Sequence, residues 1–146
     1  MITIKKIDKE LVYTIRNLVL RKGKPIESCH FVDDEKESTV HFGLEIENKV
    51  IGVVSLFKQK NDLFNENKQF QIRGMAVLEE YQYKGYGKLL VEKAEKHCLE
   101  SKTDVIWFNA RENAKLFYQK MDYTIHGKPF DIENIGMHYI MFKKLT

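Results

Sequence analysis

Apolar positions change their spacing several times along the chain, and each change predicts an element. Residues 2–7 alternate in part between apolar and polar and predict a short first strand. Asp8 then stands at a capping position ahead of a helix over about residues 9–21, with Leu11, Ile15, Leu18 and Val19 on one face. Lys22-Gly-Lys-Pro breaks that helix, and residues 25–38 show little periodicity and read as loop. Residues 41–47 and 49–58 are β-rich runs on either side of Asn48, the pattern of a hairpin. Polar residues 60–67 predict a turn, and residues 69–77 a further strand. A helix follows over about 87–101, where Leu90, Ala94 and Cys98 form one stripe and Leu89, Val91 and Leu99 widen it. Val105-Ile-Trp-Phe-Asn109 reads as a short buried strand, 112–120 as a helix, and 123–127 and 137–143 as closing strands.

The resulting order, β-α-β-β-β-α-β-α-β-β, predicts a mixed α/β fold of the α+β type, with helices on a mostly antiparallel sheet. No repeat or linker interrupts it, and 146 residues suit a single domain over 1–146. With 43% hydrophobic and 31% charged residues, two prolines and no low-complexity tract, the composition is that of an ordinary globular chain. No apolar run reaches the roughly 18 residues needed to span a bilayer, and the first residues carry no signal-peptide block. Cys29 and Cys98 lack metal-ligand or CxxC spacing, so free thiols in a reducing cytoplasm, and no metal, are expected. A formal charge of +3 is too small to argue for nucleic acid, and no nucleic-acid motif is present. The location of the cations matters more, because Lys84, Lys88, Lys93, Lys96 and His97 fall in one short segment.

That segment contains Gln82-Tyr-Lys-Gly-Tyr-Gly87, placed between a predicted strand and a predicted helix. Glycines at 85 and 87 let the backbone turn without Cβ clashes. A helix start presents unpaired N–H groups and the positive end of the helix dipole, which suits a phosphate. Taken alone, the residues fit a tight strand-to-helix turn with solvated lysines equally well. Two common phosphate loops fit poorly. The P-loop pattern GxxxxGK(S/T) fails on spacing and hydroxyl, and the dinucleotide pattern GxGxxG lacks its third glycine and its parallel order.

Residues 75–90, Met-Ala-Val-Leu-Glu-Glu-Tyr-Gln-Tyr-Lys-Gly-Tyr-Gly-Lys-Leu-Leu, resemble the acyl-CoA loop of the GNAT acetyltransferases, (R/Q)-x-x-G-x-(G/A). Residues 109–123, Asn-Ala-Arg-Glu-Asn-Ala-Lys-Leu-Phe-Tyr-Gln-Lys-Met-Asp-Tyr, resemble the same family's second cofactor segment, N-A-R-x-x-A-x-x-F-Y-x-K-x-G-F. Asp122 and Tyr123 depart from it, standing where the family usually has glycine and phenylalanine. The resemblance implies a splayed sheet and transfer of an acyl group, acetyl by family frequency, from acyl-CoA to an amine. Backbone amides at Gln82, Tyr83, Lys84, Gly85, Tyr86 and Gly87, helped by Lys88, would hold the pyrophosphate. Met75, Ala76 and Val77, at a strand bulge, would bond the pantetheine arm, and an amide near Met75 would polarise the thioester carbonyl. Asn109 and Phe117 would line the cofactor slot.

Within the same resemblance Tyr118 is the expected general acid, protonating the departing thiolate. An alkylammonium near pKa ~10.4 must also lose a proton before it attacks. His138 and Glu133 are the candidate bases, with His41 and Glu80 behind them. Trp107 and Phe108 read as core, Cys98 as a buried stripe residue, and residues 33–37 (Asp-Asp-Glu-Lys-Glu) as a solvated loop. Cys29-His30 lacks a third partner for nucleophilic chemistry. A non-catalytic acyl-CoA-binding module is the competing class. The partners expected are acyl-CoA and a small-molecule or peptide amine, with no membrane, and the resemblance leaves a homodimer open. Residues 20–40, the hairpin and the last two strands would shape the acceptor pocket.

Overall fold

The computed structural model describes residues 1–145. Its elements are β1 (Ile2–Lys6), α1 (Lys9–Val19), β2 (Val40–Ile46), β3 (Lys49–Phe57), β4 (Gln69–Val77), α2 (Tyr86–Glu100), β5 (Val105–Arg111), α3 (Lys115–Gln119), β6 (Thr124–Ile132) and β7 (Gly136–Lys144), in the predicted order. Short 3-10 turns lie at Ile26–Cys29, Glu79–Tyr81 and Glu112–Ala114. The sheet order is β1-β2-β3-β4-β5-β7-β6. Antiparallel ladders join β1 to β2, β2 to β3, β5 to β7 and β6 to β7, and β4 pairs with β5 in parallel through Gln69–Gln71. The fold is therefore mixed and mostly antiparallel, as the alternation of periods predicts. Among the described residues no helix is long and apolar enough to cross a membrane.

The chain divides into two compact units, Met1–Lys58 with Ile72–His97, and Gln59–Gln71 with the described residues from Cys98 onward. In the first unit, the β2–β3 hairpin turns at Glu47 and Asn48, both left-handed with φ of 52° and 66°. Two such residues give the turn whose twist matches that of the paired strands. Phe42, Leu44, Ile51, Val53, Val54 and Leu56 are buried along the hairpin, and α1 packs on both of its strands.

The predicted face of α1 holds at Ile15 but not at Leu11 or Leu18. Val12, Tyr13, Ile15 and Arg16 are buried, while Leu11 and Leu18 are exposed, and the helix stops at Val19 rather than at residue 21. The inward face is rotated because it carries a charged residue, Arg16, that apolar periodicity cannot count as core. Asp8 does occupy the N-cap position, but its side chain makes no capping hydrogen bond. On α2 the stripe of Leu90, Ala94 and Cys98 is buried with Val91, whereas Leu89 and Leu99 face solvent.

In the second unit Phe64, Val105 and Trp107 form a core with Ile140 and Phe142. Trp107 donates its indole N–H to the Gln59 carbonyl at 2.9 Å. Gln69 organises the predicted polar turn, accepting from Asn61 N at 2.8 Å and donating to the Glu66 carbonyl at 2.8 Å. The predicted helix over 112–120 opens as a 3-10 turn and is α-helical only from Lys115. β6 runs on to Ile132, five residues past the predicted end. Its register shifts between His126 and Phe130, which gives Pro129 a place where no ladder N–H is needed.

Candidate functional site

The glycine turn lies in the first unit, between β4 and α2. β4 runs unbroken through Gly74, whose φ of +65° is left-handed. A side chain there would approach Arg16 Nε to 2.9 Å and Phe31 to 3.1 Å. Gly74 stands one residue before Met75. Met75 is half-buried, and Ala76 and Val77 are buried. Leu78 N donates to the Ile51 carbonyl at 2.8 Å, and Tyr81 N to the Leu78 carbonyl at 2.8 Å.

Gln82 then folds back, its Nε2 donating to the Val77 carbonyl at 2.9 Å. The glutamine of the motif thus fixes the loop to the end of the strand. Tyr83 (φ 63°) and Gly85 (φ 87°) are both left-handed, and open space surrounds the position of a Gly85 Cβ. α2 begins at Tyr86, and Leu89 N reaches back to the Gly85 carbonyl at 3.3 Å. The earliest N–H groups of a helix have no acceptor within it, so they point at solvent or at an anion. Tyr83, Lys84, Gly85 and Lys88 are exposed, and Tyr86 and Gly87 half-buried. A turn open to solvent at the start of a 15-residue helix, flanked by two lysines, fits a pyrophosphate.

Behind β3 and β4 the same unit holds a polar network that the sequence did not disclose. Arg16, fully buried, donates from Nη1 to Asp34 Oδ2 at 2.8 Å and to the Cys29 carbonyl at 2.8 Å. Its Nη2 donates to Asp34 Oδ1 at 3.0 Å and to Ser55 Oγ at 3.0 Å. His41 Nδ1 lies 2.6 Å from Ser55 Oγ, and its Nε2 donates to the Asp34 carbonyl at 3.0 Å. Asp34 also accepts from Phe31 N at 2.7 Å. Burial alone would raise the Asp34 carboxyl, but the Arg16 guanidinium and the Phe31 N–H hold it below the ordinary value. The expectation that 33–37 is a solvated loop is therefore overturned for Asp34. His41, with both ring nitrogens engaged, is part of the scaffold rather than a base. A cavity of about 450 Å³ opens beside this network, lined by Tyr13, His30, Phe31 and residues 33–36.

The remaining candidates lie in the second unit. Asn109 is exposed on β5 between buried Phe108 and Ala110. Phe117 is half-buried on α3, with its ring centroid 5.0 Å from that of Tyr118. Tyr118 is buried, its ring 4.3 Å from Phe108 and 6.0 Å from Tyr123. Burial pushes its phenol well above the ordinary value, so it keeps its proton throughout the neutral range. The turn after α3 is closed by Met121 N and Tyr123 N, each 3.0 Å from the Tyr118 carbonyl. Asp122 lies in this turn at φ 71°, the conformation for which a glycine is best suited. Aspartate tolerates that conformation better than most residues, so the departure from the motif leaves the turn intact. Buried His138 on β7 has Nδ1 2.8 Å from the Gly136 carbonyl. A carbonyl accepts only from an N–H, so Nδ1 is the donor in that contact. Glu133 and Glu80 are both exposed.

Residues 10–123 match the model of the acetyltransferase (GNAT) family. The chain is 36% identical over 145 residues to YitI, an uncharacterized N-acetyltransferase of Bacillus subtilis strain 168, covering 99% of this chain and 97% of that one. Among solved structures, an aminoglycoside 6'-N-acetyltransferase complexed with coenzyme A superposes with a TM-score of 0.80 at 14% identity, covering 99% and 97% of the two chains. The ribosomal-protein-S18-alanine N-acetyltransferase of Escherichia coli gives a TM-score of 0.79 at 16% identity, covering 100% and 95%. At such identities these two structures show the fold alone.

Proposed function

Because the chain belongs to the acetyltransferase (GNAT) family and is an N-acetyltransferase, we propose that it moves an acetyl group from acetyl-CoA to a primary amine by direct attack, in a single domain. The observation that carries this reading is the turn pinned by Gln82 and opened by Gly85 at the start of α2. Acetyl-CoA supplies an activated thioester and a thiolate leaving group. The amides of residues 82–87, with Lys84 and Lys88, hold its pyrophosphate, and Met75, Ala76 and Val77 bond the pantetheine arm. The Met75 amide bonds the thioester oxygen and favours charge developing there.

In this mechanism His138 takes a proton from the ammonium through its Nε2, and the free amine attacks the thioester carbon. Tyr118 gives its phenolic proton to the departing thiolate as the C–S bond breaks, and the second proton shed by the nitrogen of the tetrahedral intermediate restores the Tyr118 phenol. Asn109 and Phe117 belong to the same cofactor-binding set. Cys29 and Cys98, both buried and without CxxC spacing, suit a reducing cytoplasm. The named relatives act on acceptors as different as an aminoglycoside and a ribosomal-protein alanine, so the acceptor is not inherited with the fold.

Gly85→Ala tests the donor side. A Cβ there meets no atom, so the substitution acts only through a backbone conformation that costs an L-residue about 1–2 kcal/mol. Acetyl-CoA binding, measured by calorimetry, is expected to weaken about tenfold with little change in the folded spectrum. Unchanged affinity would remove the turn from the donor site.

A further inference from the structure

The first unit holds a second arginine beside the buried network, and its situation differs from that of Arg16. Arg73 precedes Gly74 on β4 and is half-buried. Its guanidinium carbon lies 4.3 Å from the centroid of Phe31 and 5.5 Å from that of Phe57. Arg16 lies over the same Phe31 ring at 3.8 Å. Both Nη atoms of Arg16 are engaged, by a bidentate carboxylate, a hydroxyl and a carbonyl, and only its Nε lacks a hydrogen-bond partner. Among the described residues Arg73 has no ion-pair or hydrogen-bond partner.

The neighbouring carboxylates are already engaged. Asp34 is held by Arg16. Asp33 lies 3.5 Å from Lys36, and Glu35 pairs with Lys9. Burial, and then the nearby charges of Arg16 and Arg21, act against the Arg73 cation, and Asp34 and Asp33 only partly offset them. A guanidinium partly removed from water, stacked on rings and beside a second cation is a poor resting arrangement unless an anion joins it. Its planar fork matches a carboxylate with two parallel hydrogen bonds.

Position narrows the choice of anion. Arg73 is two residues from Met75, about 7 Å along a strand, and Met75 is where the proposed function puts the reacting carbonyl. The pyrophosphate turn comes nine to fourteen residues after Arg73 along the chain. An anion read by Arg73 therefore belongs near the amine being acetylated. We propose that Arg73 binds a carboxylate on the acceptor, so that the acceptor is a small amino-carboxylate such as an amino acid. This rests on the acetyl-transfer reading and adds the acceptor class to it.

The test compares matched pairs, such as lysine with cadaverine and phenylalanine with phenethylamine, for acetyl-CoA-dependent thiol release. The wild type is expected to favour the amino acid in kcat/KM by about ten- to a hundredfold, the usual worth of hydrogen bonds to a charged group. Arg73→Gln should abolish that preference while leaving the decarboxylated amine within about threefold. Arg73→Lys, which keeps the charge without the fork, should retain part of it and serves if the glutamine variant does not fold. Equal rates for both members in the wild type, or equal losses for both in the variant, would overturn the assignment while acetyl transfer stood. Loss of acetyl-CoA affinity in Arg73→Gln would also overturn it, moving Arg73 to the donor side. Absence of turnover with every pair would overturn the acetyl-transfer reading, and this assignment with it.

Discussion

Asp34→Ala is expected to destabilise the protein by about 3–5 kcal/mol, because it leaves the Arg16 guanidinium buried without its counter-charge. The loss should appear as a lower urea midpoint with an unchanged slope. Ser55→Ala removes two hydrogen bonds, one from Arg16 Nη2 and one with His41 Nδ1, and should cost about 2–3 kcal/mol. Replacing both Arg16 and Asp34 by apolar residues of similar volume should cost less than Asp34→Ala alone, since no charge is then stranded. The pH dependence has a definite sign. The Asp34 carboxyl is held below its unfolded value, so its contribution is fully present above the ordinary aspartate range. It is lost as pH falls through the depressed value. Acid should therefore lower the melting temperature of the wild type more than that of Asp34→Ala, and parallel acid profiles would show that the pair is not the source of stability.

Tyr118→Phe is expected to lower kcat by about 10²–10⁴-fold, the usual range for a positioned proton donor. The ring remains against Phe108, so stability and acetyl-CoA affinity should change little. Because burial raises the Tyr118 phenol, the wild-type rate should show no alkaline fall up to the ordinary tyrosine range, about pH 10. Steady-state kinetics across pH separate this role from packing. Equal wild-type and variant rates at every pH would exclude Tyr118 as the donor, and a descending limb near neutrality would contradict its buried state.

The strands and the glycine turn were legible because their signals are local. β4 matches its predicted limits, and α2 begins one residue early, since strand alternation, glycine spacing and a helical stripe are all written in neighbouring residues. Apolar burial of Cys98, Trp107 and Phe108 was legible for the same reason. What escaped was long-range. Arg16 and Asp34 are 18 residues apart, and Ser55 and Arg16 are 39 apart, so nothing in either neighbourhood marks them as partners. The acidic run at 33–37 has the composition of a solvated loop, and only the fold brings Asp34 to the guanidinium.

Similarly, Arg73 looks like one polar position in a strand until Phe31, from a loop over 40 residues earlier, is found against it. Gly74 could have been suspected, since a glycine inside a strand pattern often marks a bulge or a close approach. Its reason, the space taken by Arg16 and Phe31, could not. Of the candidate bases, His41 was ruled out by hydrogen bonds that its immediate sequence does not foreshadow.

The most direct test of the account is a single reaction of purified protein with acetyl-CoA and an amine panel that includes amino acids. Free thiol and the acetylated amine are measured together, the latter by mass spectrometry. The account predicts one acetylated amine for each thiol released, with release dependent on the amine and lost in Tyr118→Phe. Tight acetyl-CoA binding with no acetylated product from any amine would contradict it, and would leave the chain a binding module rather than an acetyltransferase.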